Sequence, residues 1–145
     1  MLRNIPPILS PDILWSLAAM GHGDTLVIAD ANFPAAALAG RCHRLDGIAA
    51  TDTLAAVLKL MPLDTFIETP AITMQVVGDA AAVPPIVSAF QDIVNDTADA
   101  PATLGAIDRF AFYEQARNAF AIIQTGESRL YGNIIVTKGV IGAPA

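Results

Sequence analysis

The sequence predicts a single three-layer α/β domain over residues 1–145, with a mostly parallel central sheet flanked by helices. Three observations predict it. Helical segments with recognisable ends alternate with short apolar runs; the first such run, Thr25 to Ala29, is apolar on both faces, as buried parallel strands are; and 145 residues suit one core rather than two.

Taken in order, Ser10-Pro11-Asp12 opens a helix: a hydroxyl to cap free N–H groups, a proline where no N–H is needed, and an acid at the positive end. Ile13, Leu14, Leu17 and Ala18 follow at helical spacing, and Gly21 is placed for a left-handed stop. After the Thr25–Ala29 strand come a short helix near Pro34 to Leu38, a strand near Arg41 to Leu45, and a helix from Thr51 to Leu60 with Asp52 in its first turn. Ala71 to Val77 alternates as a strand around Met74, and Pro84 to Val94 reads as a helix fading into Asn95-Asp96-Thr97. A strand over Thr103 to Asp108, a helix over Arg109 to Ala119, and strands over Phe120 to Gln124 and Asn133 to Thr137 complete the alternation. Phe112, Ala116 and Ala119 or Phe120 share one side of that last helix.

Composition excludes several classes. The chain is 54% apolar and 15% charged, against about 25% charged in ordinary soluble domains. The longest uncharged stretch, Ala80 to Gln91, is twelve residues and holds Pro84 and Pro85, against about 20 apolar residues for a membrane span. The 27 alanines account for much of the apolar excess but not for the shortage of charge. A large subunit interface is the ordinary explanation, so a homo-oligomer is expected. Fourteen acidic and eight basic side chains give a net charge of −6 with the bases scattered, which disfavours a nucleic-acid partner. The N-terminal residues lack the pattern of a signal peptide and Cys42 stands alone, so a cytoplasmic location is expected.

There is no GxSxG, Walker, HExxH or paired CxxC motif, and Gly21-His22-Gly23 lacks the third glycine of a dinucleotide loop. Adjacent Cys42 and His43 on a strand point to opposite faces, so no metal site is expected.

Four places carry chemistry. His22, between two glycines where a helix meets a buried strand, is either presented for proton transfer or packs as a helix-end residue. Asp30 ends the first strand, where open α/β sheets hold ligands, and equally suits a cap or Asx-turn. Arg109 and Tyr113 lie four apart on one helix face and suit a small polyol; the alternative is an arginine lying over a packed tyrosine. Tyr131 and Asn133 flank Gly132 on the same side of the last strand, or simply end a turn.

The runs Met20 to Pro34, Pro62 to Asp64, Arg109 to Glu114, Thr125 to Glu127, Tyr131 to Asn133 and Lys138 to Val140 resemble, in order and at family spacing, the L-fucose mutarotase and D-ribose pyranase family. Gly23 after the histidine, Asn32-Phe33-Pro34 after Asp30, Arg109-Phe-x-Phe-Tyr113 and Gly132 resemble the fucose branch, from which Thr25 and Ser128-Arg129-Leu130 depart.

The resemblance implies a cofactor-free sugar-anomer isomerase that assembles into a ring, commonly a decamer, with sites near subunit boundaries. It implies His22 as general acid and Asp30, Arg109, Tyr131 and Asn133 as sugar contacts, with Asp64, Met74 and Tyr113 also in the pocket. Tyr131 and Asp30 are the candidates for the opposite proton transfer. At about 3.3 Å per residue, the strand Thr25 to Ala29 puts His22 and Asp30 at its opposite ends, roughly 20 Å apart. Either the Gly21-His22-Gly23 loop folds back, or the site combines His22 of one chain with Asp30 or the Tyr131–Asn133 pair of another; the second is the expectation, because it also explains the apolar surface. A non-catalytic sugar-binding module and a D-ribose pyranase remain the competing readings.

Overall fold

A computed structural model describes residues Met1–Ala145. Helices α1 (Pro11–Ala19), α2 (Ala35–Leu38), α3 (Ala50–Leu58), α4 (Pro85–Thr97) and α5 (Arg109–Arg117) alternate with strands β1 (Thr25–Ala29), β2 (Cys42–Leu45), β3 (Ala71–Met74), β4 (Gly105–Ile107), β5 (Ala121–Thr125) and β6 (Ile134–Thr137). The strands form one six-stranded sheet in the order β2-β5-β1-β6-β3-β4. Parallel pairing joins β2 to β5, β5 to β1 and β3 to β4, while β6 runs antiparallel between β1 and β3.

Strand periodicity sorts the core into two layers. Leu26 and Ile28 of β1 face Ile13 and Leu17 of α1, Leu54 and Val57 of α3, and Phe90 and Val94 of α4. Val27 and Ala29 face the other way, onto Ala35 of α2 and Phe112 and Ala116 of α5. The central strand is thus buried on both sides, as its unbroken apolar run predicts. Each large aliphatic side chain fully buried here contributes about 1.5–3 kcal/mol.

Local chemistry explains the ends. The Ser10 hydroxyl accepts the Ile13 N–H at 3.3 Å, and Asp108 accepts the N–H groups of Phe110 and Ala111 at 3.0 Å, so both α1 and α5 carry side-chain caps. Helix α1 does not stop on a left-handed Gly21. Met20 leaves it in extended conformation, the Lys138 ammonium donates to the Leu17 and Met20 carbonyls, and Gly23 takes the positive φ of 86°. Ser16 is fully buried despite lying outside the apolar stripe, because its hydroxyl pairs with His43 Nε2 at 2.7 Å.

Strand β3 ends at Met74 rather than Val77: Gln75 N–H still reaches the Ile107 carbonyl, but Val76 then bridges Asp79 around Gly78 at φ 82° and the chain turns away. Helix α4 continues through Asn95 and Asp96 to Thr97, with buried Val94 anchoring its last turn.

Candidate functional site

The end of the sheet where the parallel strands finish carries a cavity of about 220 Å³. Asp30, just beyond β1, Met74 at the end of β3, Arg109 and Tyr113 on α5, and Tyr131 and Asn133 before β6 all line it. Asn32, Phe33, Val77 and Leu130 complete its wall. Six of the eight residues singled out in the sequence therefore converge here.

Asp30 is buried and held on every side. Asn133 Oδ1 accepts its N–H at 2.8 Å, Asn133 Nδ2 donates to its Oδ2 at 3.0 Å, and Asn32 N–H donates to its Oδ1 at 2.9 Å. Burial pushes its carboxyl above the usual range; the donors from Asn32, Asn133 and Phe33 work against that rise, and the nearby Glu127 charge adds to it. The following loop is pinned from β5: Gln124 Nε2 donates to the Phe33 carbonyl at 2.7 Å, and Thr125 Oγ1 donates to the Ala29 carbonyl at 2.8 Å.

Across the cavity, Arg109 Nε donates to the Tyr113 hydroxyl at 3.1 Å, and its guanidinium lies 5.3 Å from that ring's centroid. Phe33 meets the Tyr113 ring edge-on at 5.5 Å. One arginine edge is thus engaged on the protein while the outer nitrogens remain for a ligand.

Tyr131 is not part of a strand, because β6 begins only at Ile134. Its φ is 65°, a left-handed conformation that costs a tyrosine on the order of 1–3 kcal/mol and persists only where its surroundings enforce it. The Val77 N–H donates to its hydroxyl at 3.1 Å. A Cβ on Gly132 would lie 2.8 Å from Glu127 Cγ and 2.9 Å from Ile86 Cδ1, so only glycine permits this approach.

His22 and Asp64 stand at the opposite end of β1. His22 Nε2 is 3.0 Å from Asp64 Oδ1, which also accepts the Phe66 N–H at 3.1 Å. The Phe66 donor, with the His22 hydrogen bond and charge, holds the Asp64 carboxyl below its usual range. An ionised carboxylate only accepts, so Nε2 donates to Asp64 and Nδ1 is the nitrogen left to give or take a proton. The His22 loop is fixed by Gly23 N–H donating to the Lys138 carbonyl at 2.9 Å and Gly21 N–H donating to Asp24 Oδ2 at 2.8 Å. Phe66, 71% exposed, lies 5.0 Å from the imidazole between ring centroids.

Sequence reasoning assigned no part to Phe66, Val77, Leu130 or the side chain of Glu127. For the three apolar residues the signal is exposure beside a polar motif, as in Leu130, 67% exposed immediately before Tyr131. A larger cavity of about 420 Å³ lies between α4 and the β3–β4 edge, but its Gln91 amide is already engaged with Ala102 and Leu104. No three His, Cys, Asp or Glu side chains gather in a metal-binding group. No helix is long and apolar enough to cross a membrane.

These features define an α/β protein with a compact small-molecule site, in which a few polar side chains are set in an apolar and aromatic wall, at the carboxyl ends of its parallel strands. Residues 3–141 match the model of the RbsD / FucU transport protein family, and the chain belongs to that family. It is 44% identical to the fucose mutarotase of Homo sapiens, over 97% of this chain and 94% of that one. It is 43% identical to the L-fucose mutarotase of Histophilus somni (strain 2336), over 97% of each. The crystal structure of the fucose mutarotase in complex with L-fucose from Streptococcus pneumoniae superposes with a TM-score of 0.90, at 39% identity, covering 97% of this chain and all of that one.

Proposed function

We propose that this chain is an isomerase that interconverts the α and β anomers of L-fucose or a closely related aldose, without a cofactor. What carries the reading is the gathering of Asp30, Arg109, Tyr113, Tyr131 and Asn133 on one cavity, in a chain 39–44% identical over nearly its whole length to fucose mutarotases.

The chemistry asks for two proton transfers. A base takes the proton of the anomeric hydroxyl while an acid protonates the ring oxygen; the bond from C1 to that oxygen breaks, leaving an open-chain aldehyde. Rotation about C1–C2 presents the other carbonyl face, and the ring recloses with the protons returned. His22, fixed by Asp64, is the proposed acid, supplying an effect typically worth about 10²–10⁴ in rate. Asp30 and Tyr131 are the candidates for the opposite transfer. Arg109 and Asn133 hold sugar hydroxyls, and Tyr113 and Met74 supply apolar contact.

His22 and Asp30 belong to opposite ends of one strand, so the working site combines His22 and Asp64 of one subunit with the Asp30 cavity of another. On this reading the chain works in the cytoplasm as a ring-shaped homo-oligomer, with ten subunits the proposed count. Exposed Phe66, Ile67, Val77, Phe110 and Leu130 give a neighbouring copy apolar surface to cover.

Exchange NMR between the anomeric protons of L-fucose tests the reading. Acceleration by the wild type, lost in His22→Ala, supports it; binding without acceleration points to a sugar-binding module. Faster exchange of D-ribose between pyranose and furanose forms points to the pyranase reaction instead.

A further inference from the structure

The Thr125-Gly126-Glu127 turn contains the most heavily engaged carboxylate in the molecule, and the mechanism above makes no use of it. Glu127 is only 4% exposed. Its Oε1 accepts the Arg129 N–H at 3.0 Å and Arg129 Nε at 2.8 Å. Its Oε2 accepts Arg129 Nη2 at 2.9 Å and the Ala50 N–H at 3.3 Å. Ala50 opens α3, whose cap residue Ala49 offers no side-chain oxygen, so Glu127 supplies that cap from another part of the chain. The Glu127 carbonyl accepts the N–H of Ala31 at 2.9 Å, directly after Asp30. Gly132 packs on the Glu127 stem, closely enough that a Cβ would sit 2.8 Å from Cγ.

One residue thus ties α3, the Asp30 loop, its own turn and the entry to β6 together. We infer that Glu127 is a positioning residue for the proposed mutarotase reaction: through its clamp on Arg129 and its contact with Gly132 it holds Tyr131 and Asn133 at their working distance from Asp30. The inference rests on the reading of the cavity as the sugar site. Tyr131, kept at φ 65° on the cavity wall, lies between this clamp and the Val77 N–H that donates to its hydroxyl. The charged groups around Glu127 are Arg129 in its own turn, Asp30 beyond β1 and, through Arg129, Asp52 on α3. Removing the Glu127 charge also removes a neighbour that disfavours ionised Asp30.

Glu127→Gln tests this in the full-length protein. A loosened clamp misplaces Tyr131, and a displacement of about 1 Å lowers kcat about 10²-fold, with a smaller change in KM for L-fucose. The acid limb of the pH profile moves to lower pH, because Asp30 ionises more easily. The chain has two tyrosines, so a ¹³Cζ-tyrosine NMR spectrum, assigned with Tyr131→Phe, shows Tyr131 shifted and Tyr113 unmoved. Arg129→Gln, at an exposed side chain, leaves the α3 cap in place and produces the same loss of kcat should the first variant not fold. Wild-type kcat, pH profile and Tyr131 resonance in both variants overturn the inference while leaving the mutarotase reading intact. If the wild type itself does not accelerate exchange, that reading fails, and the Tyr131 resonance alone decides: shifted, Glu127 positions the loop; unmoved, it does not.

Discussion

Asn133 grips Asp30 at two points, its Oδ1 accepting the Asp30 N–H at 2.8 Å and its Nδ2 donating to Asp30 Oδ2 at 3.0 Å. Residues 103 positions apart in sequence are thereby locked as a unit, and the amide alone has the donor and acceptor needed for both bonds.

Asn133→Ala leaves the buried N–H and one carboxylate oxygen of Asp30 without these partners. The expected cost is about 1–3 kcal/mol, measured by urea denaturation. The Nδ2 bond favours ionised Asp30, so its loss raises the Asp30 pKa further, and the acid limb of L-fucose turnover moves to higher pH. That is opposite in sign to the shift expected for Glu127→Gln.

Arg109→Lys keeps the charge but not the fork that joins Tyr113 on one edge and a ligand on the other. Losing a charge-assisted hydrogen bond worth about 1.5 kcal/mol or more raises KM for L-fucose about tenfold or more, with a smaller effect on kcat. Steady-state exchange rates against sugar concentration separate the two.

The Arg129 guanidinium and backbone donors hold the Glu127 carboxyl at about 2, below its ordinary 4.5. A depressed acid stabilises the fold above its unfolded pKa and loses that contribution as pH falls through the folded value. Glu127→Gln should therefore destabilise the protein by on the order of 2 kcal/mol near pH 7, after allowance for solvent screening on the exposed side of Arg129. The gap to wild type should close between about pH 4.5 and pH 2, as followed by chemical denaturation at each pH.

Gly126→Ala places a Cβ 1.9 Å from the Asp46 carbonyl oxygen, a backbone atom with no rotamer to yield. A loss of roughly 2 kcal/mol or more is expected, whereas Gly40→Ala, with nothing within 4 Å, stays within about 0.5 kcal/mol. Equal melting temperatures for the two would contradict the packing described for this turn.

Much of this was legible in the residues. Ser10-Pro11-Asp12 marks the start of α1 because capping is local chemistry, and Thr25 to Ala29 reads as a central strand because both its faces are apolar. Other features depend on distant partners. Ile134 to Thr137 is equally apolar whichever way it runs, so its antiparallel insertion between β1 and β3 leaves no local mark. Val76 and Val77 continue the β3 pattern, yet Gly78 turns the chain. Gly21 and Gly23 are two residues apart, and the Lys138 carbonyl, bonded to the Gly23 N–H, is a contact no helix rule contains. Within the site, residue types and order pick out Asp30, Arg109, Tyr113, Tyr131 and Asn133, but the left-handed Tyr131 and its Glu127 support arise only from the fold.

His22 and the Asp30 cavity are proposed to come from different subunits of a sugar-anomer isomerase. Anomeric exchange NMR of L-fucose with His22→Ala, Tyr131→Phe and the two co-expressed tests it most directly. Each variant alone should exchange well below the wild-type rate, and the mixed oligomer should exceed both parents, because some sites draw an intact His22 and an intact Tyr131 from different chains. A mixed oligomer as inactive as its parents, or a monomeric form with full wild-type turnover, would contradict the account.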